Sequence, residues 1–210
     1  DKIYESTRTA VYRGIRDNVP VILKVFKKEY PSSEELARYR HEYDITKDIQ
    51  IKGVIKPQEI KRYKNTLVII FEDFGGKSLK SLFKERNFSI EEILHISINI
   101  CTIIGELHSK NIIHKDINPS NIILNPGTGN IKIIDFEFAT RLDERQTDII
   151  NPGLMEGTLP YISPEQTGRI NRNIDYRTDF YSFGVTIYEL LTGMLPFDTG
   201  DELKTLHAHI

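Results

Sequence analysis

The sequence predicts an α+β chain of two lobes, a small antiparallel β lobe with one helix and then a mainly helical large lobe. Three observations predict it. Apolar residues alternate through the first third, as strands with one buried face do. Gly75-Gly76 then interrupts the pattern. Beyond that break the apolar residues recur at helical spacing instead. With 210 residues, the chain is long enough for two small lobes sharing a cleft.

Each element can be justified in turn. Ala10 to Arg16 and Val19 to Phe26 are apolar-rich runs joined by Asp17-Asn18, a favoured pair for a tight hairpin. Pro31-Ser32-Ser33-Glu34-Glu35 has a serine cap and an acidic first turn, so a helix should start there and run to about Lys47. Ile60 to Tyr63 and Thr66 to Glu72 form a second strand pair around Lys64-Asn65. Past the glycines, Ser89 caps a helix whose buried stripe is Ile93, Ile96, Ile100, Ile103, Ile104 and Leu107. Short strands, Ile122 to Leu124 and Ile131 to Ile134, flank a Pro-Gly turn. A long mixed loop follows Asp135, and a second buried helix spans Asp179 to Leu191 and stops at Gly193.

Composition narrows the function. Hydrophobic residues make up 39% and charged residues 28%, and the net charge is -2, which argues against a nucleic-acid or anionic-membrane partner. The single cysteine, Cys101, excludes an internal disulfide and points to a reducing compartment; its apolar surroundings put it in the core. No apolar run approaches the roughly 18 residues of a membrane span, and Asp1 to Glu5 lack the parts of a signal peptide. A cytoplasmic location is expected.

Some residues ask for a chemical explanation. Lys24 sits inside the apolar strand Val21-Ile22-Leu23-Lys24-Val25-Phe26. Facing inward it needs a counter-charge, for which Glu42 on the following helix is the candidate; facing outward it would meet water. The segment His114-Lys115-Asp116-Ile117-Asn118-Pro119-Ser120-Asn121 puts a carboxylate and a carboxamide five positions apart. Ile133-Ile134-Asp135-Phe136 ends an apolar strand in a second carboxylate. Phosphoryl transfer needs a group that orients the attacking hydroxyl and oxygen ligands that hold magnesium, and these residues supply both.

Lys24, Glu42, His114-Lys115-Asp116 with Asn121, Asp135-Phe136 and Ser163-Pro164-Glu165 together resemble the protein-kinase signature set. Gly157 to Glu165 resembles the stretch of serine/threonine kinases that receives the substrate peptide, and Asp179 to Gly184 the start of their long buried helix. The resemblance covers nearly the whole chain. It implies a bilobal kinase fold, with residues 1-74 the nucleotide-binding small lobe and 75-210 a large lobe whose remaining helices follow Ile210. It implies a serine/threonine kinase using ATP and Mg2+, with Mn2+ as an alternative. Lys24, held by Glu42, would contact the α- and β-phosphates, and Asp116 would accept the substrate hydroxyl's proton or orient it. Asn121 and Asp135 would bind the metal. Glu72 and Phe74 would meet the adenine at the hinge, with Phe71 behind it and Val11 above. His114 would pack rather than catalyse, and Asp179 would brace the catalytic loop.

Within that family, His114 to Asn121 and Pro164 to Arg169 are similar to the amino-terminal kinase domains of large bacterial proteins. Those proteins also carry NTPase, GAF and sensor histidine kinase modules, so tethered modules and a two-component signalling context are implied. The protein substrate is not.

The chain departs from the family pattern in places. The three glycine positions of the phosphate loop fall at Tyr4, Ser6 and Thr9, which removes close backbone approach to the phosphates. Glu137 stands where glycine should follow Asp135-Phe136, and Asn118 replaces a lysine that would neutralise phosphoryl charge. Lys115, in place of arginine, lacks the bidentate fork. Glu165 would find its usual arginine partner beyond Ile210. These departures favour a second reading, a pseudokinase acting as a nucleotide-binding regulatory or docking module. A third is a small-molecule phosphotransferase of related fold, which would not be expected to carry the Thr158 to Glu165 segment. The loop offers Thr140, Thr147 and Thr158 as phosphoacceptors, of which Thr147 is the candidate for autophosphorylation and Thr158 reads better as a substrate-pocket residue near Asp116.

Overall fold

A computed structural model describes residues 1–142, 156–170 and 172–210. Thr147, offered above as a phosphoacceptor, lies outside the described residues.

The amino-terminal part is a five-stranded antiparallel sheet with one helix. Its strands are β1 (Lys2–Glu5), β2 (Thr9–Arg16), β3 (Val19–Phe26), β4 (Pro57–Tyr63) and β5 (Thr66–Glu72), in the spatial order β1-β2-β3-β5-β4. The Asp17-Asn18 turn has φ of 50° and 62°, the left-handed pair that a two-residue hairpin requires. The one sheet strand without an assignment from the sequence is β1, four exposed residues that pair with β2 through an irregular register.

The helix α1 (Ser33–Thr46) starts at Ser32, whose hydroxyl accepts from the Glu35 amide while the Glu35 carboxylate accepts from the Ser32 amide. Its inward face carries Tyr39, Glu42, Ile45 and Thr46. Ile45 and the following Ile49, Ile51 and Val54 do not join the sheet's core; they pack into the core of the helical part. The amide of Ile55 donates to the carbonyl of Ile133 (3.1 Å), and that of Ile133 to Gly53 (2.8 Å). The segment after α1 thus fastens the helix that carries Glu42 to the strand leading into Asp135.

The helical part contains α2 (Leu79–Glu85), α3 (Ile90–Ser109), α4 (Arg177–Thr192) and α5 (Glu202–Ala208). Two small sheets supplement it: β6 (Lys77–Ser78), β8 (Ile122–Leu124) and β9 (Ile131–Ile133) form one, and β7 (Ile112–Ile113) with β10 (Thr140–Arg141) the other. The helix α3 buries the six residues its period predicts, Ile93 through Leu107. Cys101, expected in the core, is instead exposed. It follows Ile100 by one residue, about 100° around the helix, and so leaves the buried stripe for the outer face. The helix α4 ends as read, at Gly193 in the left-handed region (φ 73°).

The architecture is the mixed α+β, two-lobed arrangement expected from the sequence. Among the described residues no helix is long and apolar enough to cross a membrane.

Candidate active site

The site lies where β3, α1, the β7–β8 loop and the end of β9 converge. Lys24 is on β3, directly opposite Ile69 of β5 and Val11 of β2. Its side chain is 10% exposed, so of the two orientations open to it the inward one is adopted. The ammonium lies 2.6 Å from Glu42 Oε2 and 2.9 Å from Asp135 Oδ1. Burial alone would lower the pKa of Lys24, but the Asp135 and Glu42 carboxylates outweigh it and raise the pKa, so Lys24 is charged. Burial pushes the Glu42 carboxyl up to about 7 against the pull of Lys24. Burial acts the same way on Asp135, yet Lys24 overcomes it and holds that carboxyl below its ordinary value.

The β7–β8 loop is held from below by Asp179 of α4. Its carboxylate accepts from the amides of His114 (2.9 Å) and Lys115 (2.8 Å) and from His108 Nε2 (2.8 Å). Those bonds secure a strained turn, because Lys115 has φ of 67°; Asp135 has φ of 66°. His114 is fully buried and accepts at Nδ1 from the Asp116 amide, so its Nε2–H faces the Ile134 carbonyl at 3.1 Å. Burial lowers its pKa, consistent with a neutral ring that packs edge-on against Phe136.

Asp116 is 7% exposed, with both carboxylate oxygens engaged. Oδ1 accepts from the Thr158 amide (2.8 Å) and Asn118 Nδ2 (3.2 Å), and Oδ2 from Asn121 Nδ2 (2.9 Å). Burial nevertheless raises its pKa to about 7, since these bonds compensate only in part. A carboxyl with that value is matched to proton transfer near neutral pH. Gly157, with φ of 110°, lets Thr158 come so close, as a Cβ there would sit 3.0 Å from the Lys115 carbonyl.

The metal-ligand candidates also fit the chemistry. Asn121 uses Nδ2 on Asp116, which turns its Oδ1 away from that carboxylate. Asn121 Oδ1 and the Asp135 carboxylate are hard oxygen donors of the type magnesium takes. Among the described residues no cluster of three or more His, Cys, Asp or Glu could hold a metal by itself. Two protein ligands suit magnesium, which draws its other ligands from phosphate and water.

Glu72, Asp73 and Phe74 connect the two parts. Phe71 is buried at the end of β5, facing Ile22, and Phe74 and Ile22 both pack against its cluster. The Glu72 side chain turns to Lys132, and Asn125 Nδ2 donates to the Phe74 carbonyl. Arg13 reaches Asp73 at 2.5 Å and the Gly76 carbonyl at 3.3 Å. At Gly76 a Cβ would lie 2.4 Å from Ile123 Cγ2, so only glycine lets this apolar floor approach the linker.

Ile22, Ile123 and Gln166 take part without having been singled out in the sequence. Ile22 shares a face with Lys24, two residues on, and Ile123 lies between the buried Ile122 and Leu124; strand alternation signals both. Asn118 does more than lack a charge: it is 2% exposed and its Nδ2 links Asp116 to Thr158. Gln166 ties Lys115 and Glu156 together through their carbonyls, and nothing local announces that role. Lys115 meets Glu156 at 3.1 Å, and Glu165 accepts from Thr178 at 2.8 Å.

Comparison with known proteins agrees with this geometry. The family model described as protein kinase domain matches residues 5–210. The chain belongs to the protein kinase domain family. It is 30% identical over 192 residues to a probable serine/threonine-protein kinase of Clostridium perfringens, covering 90% of this chain and 27% of that protein. It is 30% identical over 193 residues to the serine/threonine-protein kinase PrkC of Bacillus subtilis, covering 90% and 29%. Against the serine/threonine-protein kinase PknL of Mycobacterium tuberculosis it is 30% identical over 209 residues, covering 98% and 51%. The kinase chain thus spans between about a quarter and a half of the length of these relatives.

Proposed function

We propose that this kinase domain transfers the γ-phosphoryl group of ATP to serine or threonine hydroxyls of a protein. The observation that carries the reading is the bridge Glu42–Lys24–Asp135, at 2.6 and 2.9 Å. A domain that only docks has no use for it: apolar residues of similar volume in place of a buried ion pair are often neutral or stabilising. Lys24 exchanges Asp135 for the nucleotide phosphates, while Glu42 keeps the ammonium in position. Asp116 orients the hydroxyl and takes its proton, with Asn118, Asn121 and the Thr158 amide fixing the carboxylate. Asn121 and Asp135 would hold Mg2+ or Mn2+, which would neutralise phosphate charge. Val11, Ile22, Phe71 and Phe74 line the adenine end, alongside the backbone of Glu72. Residues 1–74 and 75–210 act as the two lobes of this cleft.

The pseudokinase alternative also rests on a specific observation. In the β1–β2 turn, the Arg8 and Thr9 amides donate to Ser6 Oγ, at 3.2 and 3.0 Å, so neither points freely at a phosphate.

The motifs His114 to Asn121 and Pro164 to Arg169 support a place as the amino-terminal module of a cytoplasmic bacterial signalling protein with NTPase, GAF and histidine kinase partners. Incubation with Mg-ATP and a generic protein substrate, followed by phosphoamino-acid analysis, tests the activity. Phosphoserine and phosphothreonine are expected. Transfer only to small molecules, or no transfer with nucleotide still bound, would overturn the reading.

A further inference from the structure

We propose that Arg8 binds the nucleotide phosphates with its side chain, in place of the backbone amides that a glycine-bearing loop would offer. The inference rests on the kinase reading above.

The β1–β2 turn is closed on itself. Ser6 Oγ accepts the amides of Arg8 and Thr9, and the Ser6 amide donates to the Thr9 carbonyl at 2.8 Å. Lys27 anchors the turn to β3, because its ammonium donates to the Ser6 carbonyl (2.9 Å) and pairs with Glu5 (2.7 Å), and its amide donates to the Arg8 carbonyl. This backbone therefore has little to offer an anion. Its side chain does. Arg8 Nη1 crosses to Glu137 Oε1 at 3.2 Å, joining the turn to the residue two past Asp135.

Arg8 is half exposed and Glu137 is 14% exposed. Across the cleft, Lys24 pairs with Glu42 and Asp135, and Arg8 pairs with Glu137. The carboxylate that departs from the family pattern after Phe136 is thus the partner of a side chain in the turn that lacks glycine. Glu137 places Arg8 at the cleft while half of its side chain stays exposed to an arriving anion. A polyphosphate carries more charge than one carboxylate, and the guanidinium fork matches its oxygens. Arg8 then leaves Glu137 for the phosphates.

Isothermal titration of the whole chain with Mg-ATP and, separately, with adenosine tests this. Arg8→Ala should weaken ATP about tenfold, the worth of one charge-assisted contact, and leave adenosine unchanged. Arg8→Lys should fall between. Glu137→Gln, which removes the competing charge, should tighten ATP. Equal ATP affinity in wild type and Arg8→Ala would overturn the inference and leave the kinase reading standing, as would weaker ATP binding in Glu137→Gln. Parallel loss of ATP and adenosine in Arg8→Ala would make the residue structural and also overturn it. A wild-type chain that binds neither ligand would overturn both readings.

Discussion

Below the cleft, the loop that carries Asp116 is fastened by buried and part-buried hydrogen bonds: Asp179 accepts two of its amides, His114 a third, and Asn121 closes on its carboxylate. Above the cleft, the β1–β2 turn is held at the surface by one serine hydroxyl and by the charges of Arg8 and Lys27. The lower region fixes geometry through groups that cannot be removed without orphaning a buried partner. The upper region holds its place by contacts that water and phosphate can replace. Chemistry that requires fixed distances belongs in the first region, and a ligand that must enter and leave is served by the second.

That contrast has measurable consequences. Lys24→Met leaves Glu42 buried without its cation and, on the proposed function, removes a phosphate contact, so kcat/KM should fall by about 10²–10³-fold. Asp179→Ala strands the buried His114 amide and the part-buried Lys115 amide. It should cost about 3 kcal/mol or more, a drop in Tm on the order of 10 °C by calorimetry. Ser6→Ala, in the upper region, should cost no more than about 1 kcal/mol. If both alanine variants lost equal stability, the two regions would not differ as described.

The pH profile adds an effect of about tenfold per pH unit. Asp116 must be ionised to take a proton and its pKa is raised to about 7, so kcat/KM should rise with pH up to about that value and then level. Stability responds with the opposite sign. The folded state holds the Asp116 proton to a higher pH than the unfolded chain does, so this group's contribution declines as pH rises from the ordinary carboxylate range to about 7. A flat rate profile over that window would remove Asp116 from the proton transfer.

The two regions also differ in how far the sequence discloses them. Lys24 among apolar neighbours demands a counter-charge, the spacing of Asp116 and Asn121 matches a chemical need, and the stripe of α3 is a plain helical period; all follow from local constraints. The upper region is encoded in long-range side-chain pairing. Nothing near Arg8 announces Glu137, and β1 is too short and exposed to betray a strand. Gln166 and the Lys115–Glu156 pair are hidden for the same reason. Cys101 has apolar neighbours in sequence but lies one residue's rotation off the buried stripe, so composition and helical phase disagree there.

The most direct test is γ-phosphate transfer from radiolabelled ATP to a generic protein substrate, with Mg2+ or Mn2+, by wild type and Asp116→Ala. Transfer by wild type that falls by about 10²–10⁴-fold in the variant is the predicted result. Equal transfer by both, or none by a wild type that still binds nucleotide, would contradict the assignment of Asp116 as the base of an active kinase.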